Sequence, residues 1–336
     1  MAVVNFSNFT FTAEQVRSLK DLLFDEVVKS PEIAQLHTIH PNIVFDKEVG
    51  FIGAGGLVGV AYQGCDPVAQ EYNIGTRKIT WTPKAWEVYI EECRDAIEST
   101  AAVYSLNYGV NANDFSEGDY VNIIKLVLAE SIKKFLVRVI WFGDTDAANE
   151  SAGGNIKNGV DVKYFNLIDG FFKQMDIQIT ANAKQGVDFS GITSANVQEK
   201  LGQLVYGANM ALRQKDGAYI LASQSVFDLY EQSLSGAALE TMYRNLVDGQ
   251  KTLTFKGIPV IAMPLWDENI DAYLPKASKN IAVYSHKDVL ALGVDDEKSF
   301  GEIESAYDSK SRKVLISAGG KLDAKVSAPA LFVKGE

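Results

Sequence analysis

From Tyr120 to Ile140, apolar side chains recur at Tyr120, Ile123, Ile124, Val127, Leu128, Ile132, Phe135, Leu136, Val139 and Ile140. This is the i, i+3, i+4, i+7 spacing that keeps side chains on one face of a helix. It predicts a helix over about 118–142, with Gly143 as its stop. From Gly118 to Trp141 such a helix runs roughly 36 Å at about 1.5 Å per residue, longer than the usual globular helix. A rod of this length is a strut, not a catalytic loop.

The segment before it, TWTPKAWEVYIEECRD, reads as a strand. Trp86, Val88 and Ile90 alternate with Glu87, Tyr89 and Glu91, which predicts two unlike faces. Pro83 confines the start of this strand to an edge or a bulge. Further upstream, VGFIGAGGLVGVAY (residues 49–62) carries no charged side chain. Its glycines oppose a helix, while its valines suit extended pairing. Exposed apolar ribbons invite association, so a cover is expected, and in an assembly another subunit can supply it. Phe51, Ile52, Gly55, Gly56, Leu57, Val58 and Val60 are therefore the candidate assembly contacts.

At the start of the chain, Thr12 with Gln15 at the capping-box position, followed by Val16, Leu19, Leu23 and Val27, predicts a helix that ends at Ser30-Pro31. Beyond the strut, FNLIDGFFKQM reads as a short helix and IQIT as a short strand. A helix is expected from Val197 to Leu212, capped by Asn196 and Glu199 and burying Val197, Leu201, Leu204, Val205, Ala208 and Leu212. After the Asp216-Gly217 turn, AYILAS reads as a buried strand, SVFDLYEQSL as a helix, and KGIPVIAMP as a core strand between Gly257 and Pro264. Alternating strands and helices over about 190–290 suggest an α+β or α/β unit. VLISAG and AKVSAPALFV read as long strands returning to the first domain.

An extended excursion, a return strand carrying TPK and a long helix ending in FGD, in that order, resemble the major capsid proteins of tailed bacteriophages. DGAYILASQSVFDLY, TLTFKGIPVIAMP and NIAVYSHKDVLALG resemble the apical domain of that family in its usual order. The resemblance spans nearly the whole chain and implies an α+β, Hong Kong 97-type capsid fold. Its parts would be an N-terminal arm and helix over 1–43, an extended β loop over 44–92 and a peripheral domain over 93–188 holding the spine helix. An apical α/β domain over 189–290 and return strands over 291–336 would complete it. The function implied is structural: pentamers and hexamers closing an icosahedral head around double-stranded DNA. The partners implied are copies of the chain itself, a scaffold, a portal, decoration proteins and in some members a maturation protease. The chain lacks a long charged coiled-coil leader, so the scaffold is expected as a separate protein. The location implied is the virion, assembled in the host cytoplasm. An encapsulin-like nanocompartment shell shares the fold, and a soluble oligomeric enzyme with dispersed active-site residues is the alternative of another class.

Composition agrees with a folded chain of about two domains: 336 residues, 47% hydrophobic and 22% charged. The 43 acidic against 32 basic side chains give a net charge of −11, and no Lys/Arg cluster is long enough to clamp a phosphate backbone. Cys65 and Cys93 form no CxxC pair, which favours a reducing compartment, and no run reaches the ~18 apolar residues of a membrane span.

Tests for chemistry come out low. A GxGxxG fingerprint beginning at Gly53 needs glycine where Val58 stands. A calcium loop beginning at Asp144 needs glycine and glutamate where Asn149 and Asn155 stand, so Asp144, Asp146 and Glu150 are expected to solvate a turn. His37 and His40 have no nearby cysteine or carboxylate to complete a metal site, nothing near Cys65 marks an activated thiol, and no GxSxG elbow occurs. Trp81, Trp86, Trp141 and Trp266 are expected to pack in the core or at an interface. No catalytic residue, cofactor or metal is assigned.

Overall fold

A computed structural model of the chain describes residues 33, 35–53, 75–93, 117–234, 252–295, 302–308, 310 and 313–336. The helix expected from Thr12 lies outside them, as do residues 54–62 of the apolar ribbon.

The predicted strut is a 26-residue helix, α1 (Glu117–Phe142). Leu128, Ile132, Leu136, Val139 and Ile140 are buried along one stripe, and Phe135 is half-buried beside them against Trp86, ring centroids 5.7 Å apart. Trp141 closes the stripe. Its indole meets Trp266 at 4.6 Å, Phe171 at 5.1 Å and Phe172 at 5.2 Å in tilted or edge-on contacts, the geometry that aromatic quadrupoles favour. All four tryptophans are buried.

Gly143 ends the helix for a different reason than a left-handed cap. Its φ is not positive, and a side chain there would meet backbone on two sides, Val139 O at 2.4 Å and Ile168 O at 2.5 Å. Gly170 crosses at this point and donates its N–H to Gly143 O at 2.8 Å. Two glycines thus let two backbone segments touch.

Two larger sheets flank α1. In the first, β10 (Leu290–Val294) and β11 (Glu302–Asp308) lie in succession along one edge of the 14-residue β12 (Lys313–Val326), and β4 (Lys84–Cys93) runs along the other. β1 (Thr38–His40) adds to β10 in parallel. β4 alternates as predicted: Trp86 is buried and Val88 and Ile90 half-buried, while Glu87, Tyr89 and Glu91 are exposed. β2 (Lys47–Gly53) and β3 (Gly75–Trp81) form a separate two-stranded ribbon.

The second sheet has the order β5-β13-β9-β6-β8-β7, where β5 is Gly186–Val187, β6 Tyr219–Ser223, β7 Thr252–Phe255, β8 Ile258–Met263, β9 Ala282–Ser285 and β13 Val333–Gly335. Every residue of β6 is buried because both faces are covered. Tyr219 and Leu221 join the core of α1 and of α2 (Phe171–Ala181). Ile220 and Ala222 face the core of α3 (Val197–Gly207) and α5 (Gln224–Ser233). Lys256 and Gly257, both at positive φ, make the two-residue turn between β7 and β8. α6 (Pro264–Tyr273) follows with Pro264 at its first turn.

Four local expectations are corrected. IQIT is no strand: it continues α2, because Phe171, Met175 and Ile179 keep one stripe facing inward and Thr180 returns its hydroxyl to Asp176 O at 2.9 Å. The helix expected over Val197–Leu212 breaks after Gly207. Asn209 then caps the short α4 (Met210–Arg213) by accepting from Ala211 N, and the buried stripe is kept. Asn196 and Glu199 make no capping box. Asn196 accepts from Thr193 N at 2.7 Å and donates to Gly191 O at 3.1 Å, which pins the preceding loop, and Glu199 accepts from Gln203. The tail divides: β12 belongs to the first sheet, but β13 crosses to the second and pairs with β9. A mixed α+β architecture results, with six α-helices among the described residues.

Candidate functional site

The ribbon expected to contact a neighbour has a firmly built root. β2 and β3 pair antiparallel from Lys47 opposite Trp81 to Gly53 opposite Gly75, which sets Phe51 opposite Arg77 and Ile52 opposite Thr76. Gly55, Gly56, Leu57, Val58 and Val60 lie outside the described residues. Alternation places Val49, Ile79 and Trp81 on one face, packed with Ile43 and Ala291. Glu48 and Lys78 share the other face in an exposed ion pair of 2.9 Å, a contact of small energetic weight.

Both arms of the ribbon are tied to β12. On the outgoing side, the backbone N–H of Thr82 donates to Asp323 Oδ2 at 2.7 Å. Asp323 is buried and also accepts from Ala324 N at 2.9 Å, with Lys325 Nζ 3.4 Å away. Burial pushes this carboxyl up from its ordinary range, and these partners offset it only in part. On the incoming side, Lys321 donates to Val44 O at 2.7 Å, and its ammonium stands 4.9 Å from the Phe45 ring centroid. Trp81 fixes the base sterically, since a Cβ on Gly293 would meet its ring at 2.7 Å. Phe45, 77% exposed, and Tyr89 on the outer face of β4 are large apolar side chains left in solvent.

The carboxylates after α1 do more than solvate a turn. Asp144 Oδ1, Asp146 Oδ2 and Asp169 Oδ1 converge on Lys173 Nζ at 2.5, 2.7 and 2.9 Å. Burial alone would lower the Lys173 pKa, but the three carboxylates prevail and hold it well above the ordinary lysine range. Asp169 also accepts from Thr145 N at 2.9 Å and Thr145 Oγ1 at 2.7 Å. An internal ammonium fills the place that the aspartate spacing suggested for a cation. Asp176 in the same concave region pairs with Lys334 at 2.7 Å, and Lys334 also pairs with Glu336.

The histidines do not converge on a metal. His37 is stacked on Phe171 at 5.4 Å, edge-on to Trp141, with Nδ1 2.9 Å from Ile33 O, and burial lowers its pKa to about 4. His40 lies against Trp81. His286 accepts from Asp288 N at 3.1 Å at the turn joining the two sheets. Cys65 lies outside the described residues, and no group of three His, Cys, Asp or Glu that could hold a metal occurs among the described residues. Sequence reading missed the Lys173 cluster and the Asp323 tie, in which Asp144, Asp146 and Thr82 lie far along the chain from the side chains they meet. Gly293 inside an apolar strand was the one local sign of the Trp81 contact.

No family model and no curated protein sequence matches the chain. Among solved structures it is similar to a chain of the satellite phage P4 procapsid that includes the size determination (Sid) protein, with a TM-score of 0.56 and 9% identity over 95% of this chain and 97% of that one. It is also similar to a chain of Gordonia phage Cozz, with a TM-score of 0.52 and 13% identity over 91% of this chain and 86% of that one. At such identities the likeness is one of fold, and along nearly its whole length the chain has the mixed α+β fold of phage capsid proteins.

Proposed function

We propose that the chain is the major shell subunit of a tailed-phage head, with a Hong Kong 97-type arrangement of arm, extended loop, peripheral domain and apical domain. What carries this reading is that the likeness to a phage procapsid chain takes in 95% of this chain and 97% of that one. In this reading the chain forms pentamers and hexamers, closes around double-stranded DNA with a separate scaffold and a portal, and catalyses no reaction. The net charge of −11 suits a wall that must not adhere to the phosphates it encloses. The ribbon, fastened to β12 at its root, presents residues 49–62 to an adjacent subunit. Expression of the chain alone and with its scaffold, followed by electron microscopy, tests the proposal. Closed particles far larger than a dodecamer are expected, and small soluble species under every assembly condition refute it.

A further inference from the structure

Arg138 sits one turn before the end of α1, among four aromatic rings. Its guanidinium carbon is 5.6 Å from the ring centroid of Phe165 and 5.8 Å from those of Phe135, Tyr164 and Tyr273. Nε donates to Tyr164 O at 3.3 Å, a single hydrogen bond for a group with five N–H donors. No carboxylate among the described residues pairs with it. Burial pulls its pKa below the ordinary arginine value, opposed only by the Tyr273 and Tyr164 phenols. The guanidinium lines an open groove with Gly159, Asp161 and Tyr273. Asp161, the acidic side chain there, is already engaged by Lys163, through its backbone N–H at 3.0 Å and Nζ at 3.0 Å. Gly159, at φ +93°, has no atom within 4 Å of where a side chain would begin, which leaves the mouth clear.

A half-buried cation that no carboxylate among the described residues neutralises is costly unless something else supplies the anion. The geometry points to an intersubunit contact: we propose that the Arg138 groove receives a carboxylate side chain from a second copy of this chain. The proposal rests on the shell reading above. The guanidinium fork matches a carboxylate in two parallel hydrogen bonds, and the aromatic walls hold the fork in place beforehand. The charge of the groove calls for an acidic side chain, and each copy of the chain carries 43 of them.

The test uses the full chain with its scaffold. Arg138→Met should raise the subunit concentration needed for assembly about tenfold, the loss of one charge-assisted pair per contact, and Arg138→Lys should fall between it and the wild type. Far-UV circular dichroism and the thermal midpoint of the free subunit should be unchanged. If Arg138→Met does not fold, a photo-crosslinking benzoylphenylalanine at the half-exposed Tyr164, with Arg138 retained, decides the matter. Assembled from isotopically light and heavy subunits, it should yield light–heavy crosslinks to a peptide containing Asp or Glu. Crosslinks confined to one copy, to the scaffold or to nucleic acid overturn the proposal, as does assembly of Arg138→Met at the wild-type concentration. In that last case the shell reading survives, whereas failure of the wild type to form particles removes both.

Discussion

Replacing Gly143 by alanine should destabilise the free subunit by about 3 kcal/mol, the upper end of the overpacking range. The new methyl would lie 2.4 Å from Val139 O and 2.5 Å from Ile168 O, whereas ordinary contact begins at 3.4 Å. Each oxygen would have to withdraw by roughly 1 Å, and neither is the end of a flexible side chain. Val139 O accepts the N–H of Gly143 itself at 3.0 Å, and Ile168 precedes the crossing at Gly170, whose N–H is bound to Gly143 O. Relief by movement would therefore break hydrogen bonds next to the buried Trp141. Urea unfolding of the subunit followed by far-UV circular dichroism measures the effect. With a slope of about 3 kcal/mol/M or more, the midpoint should fall by up to about 1 M. Gly50→Ala, where nothing lies within 4 Å, is the control and should stay within about 0.5 kcal/mol of the wild type. Gly143→Asn separates the causes. A left-handed cap tolerates asparagine, whereas a close approach rejects it at least as strongly as alanine. An unchanged midpoint for Gly143→Ala, or a tolerated asparagine, would refute the steric account.

Lys173→Met should leave Asp144, Asp146 and Asp169 repelling one another and cost on the order of 2 kcal/mol at neutral pH. Burial would raise the Asp169 carboxyl, but Thr145 and Lys173 prevail and hold it below the ordinary range, so its contribution is present above about pH 4 and fades as pH falls; wild type and variant should converge in urea midpoint as the pH is lowered, and a constant gap would argue against the cluster. His37 takes up its proton near pH 4 when folded and near 6.5 when unfolded, so the unfolded chain binds more protons between those values. Stability should then decline as pH drops from 6.5 to 4 by up to about 3 kcal/mol, and His37→Phe should flatten that decline by about one proton; an unaltered slope in pH-dependent denaturation would show that His37 is not the group responsible. For the ribbon, Leu57→Asp or Val58→Asp should leave the subunit folded yet weaken particle formation, and amide exchange over residues 49–62 should slow on assembly. Equal protection in free subunit and shell would remove the ribbon from the intersubunit contact.

The elements that were legible in the sequence are those whose cause is local. α1 announces itself because one helix face must be apolar over many turns, and β4 because its two faces differ in exposure. The stripe Val197, Leu201, Leu204, Val205 survived even where the helix carrying it broke at Gly207, since burial constrains the positions of side chains more tightly than the continuity of hydrogen bonds. IQIT misled because β-branched composition is a weak preference that a neighbouring buried stripe overrides.

What escaped were contacts whose two halves lie far apart. Thr82 and Asp323 are 241 residues apart, and Lys173 is nearly 30 residues from Asp144. Neither partner alone departs from the pattern of an exposed polar residue, so no window of sequence holds the signal. Glycine is the partial exception. Gly143, Gly170 and Gly293 each sit where an apolar helix end, loop or strand would ordinarily carry a side chain, and at each the space is taken by another part of the chain. The same logic bears on residues 49–62, where glycines again interrupt an apolar run. At the ribbon's root, the space beside Gly293 is filled by Trp81 of the same chain. The shell reading assigns the glycines of this run, Gly55 and Gly56 among them, to a contact with another copy, and the sequence by itself does not record which chain makes such a contact.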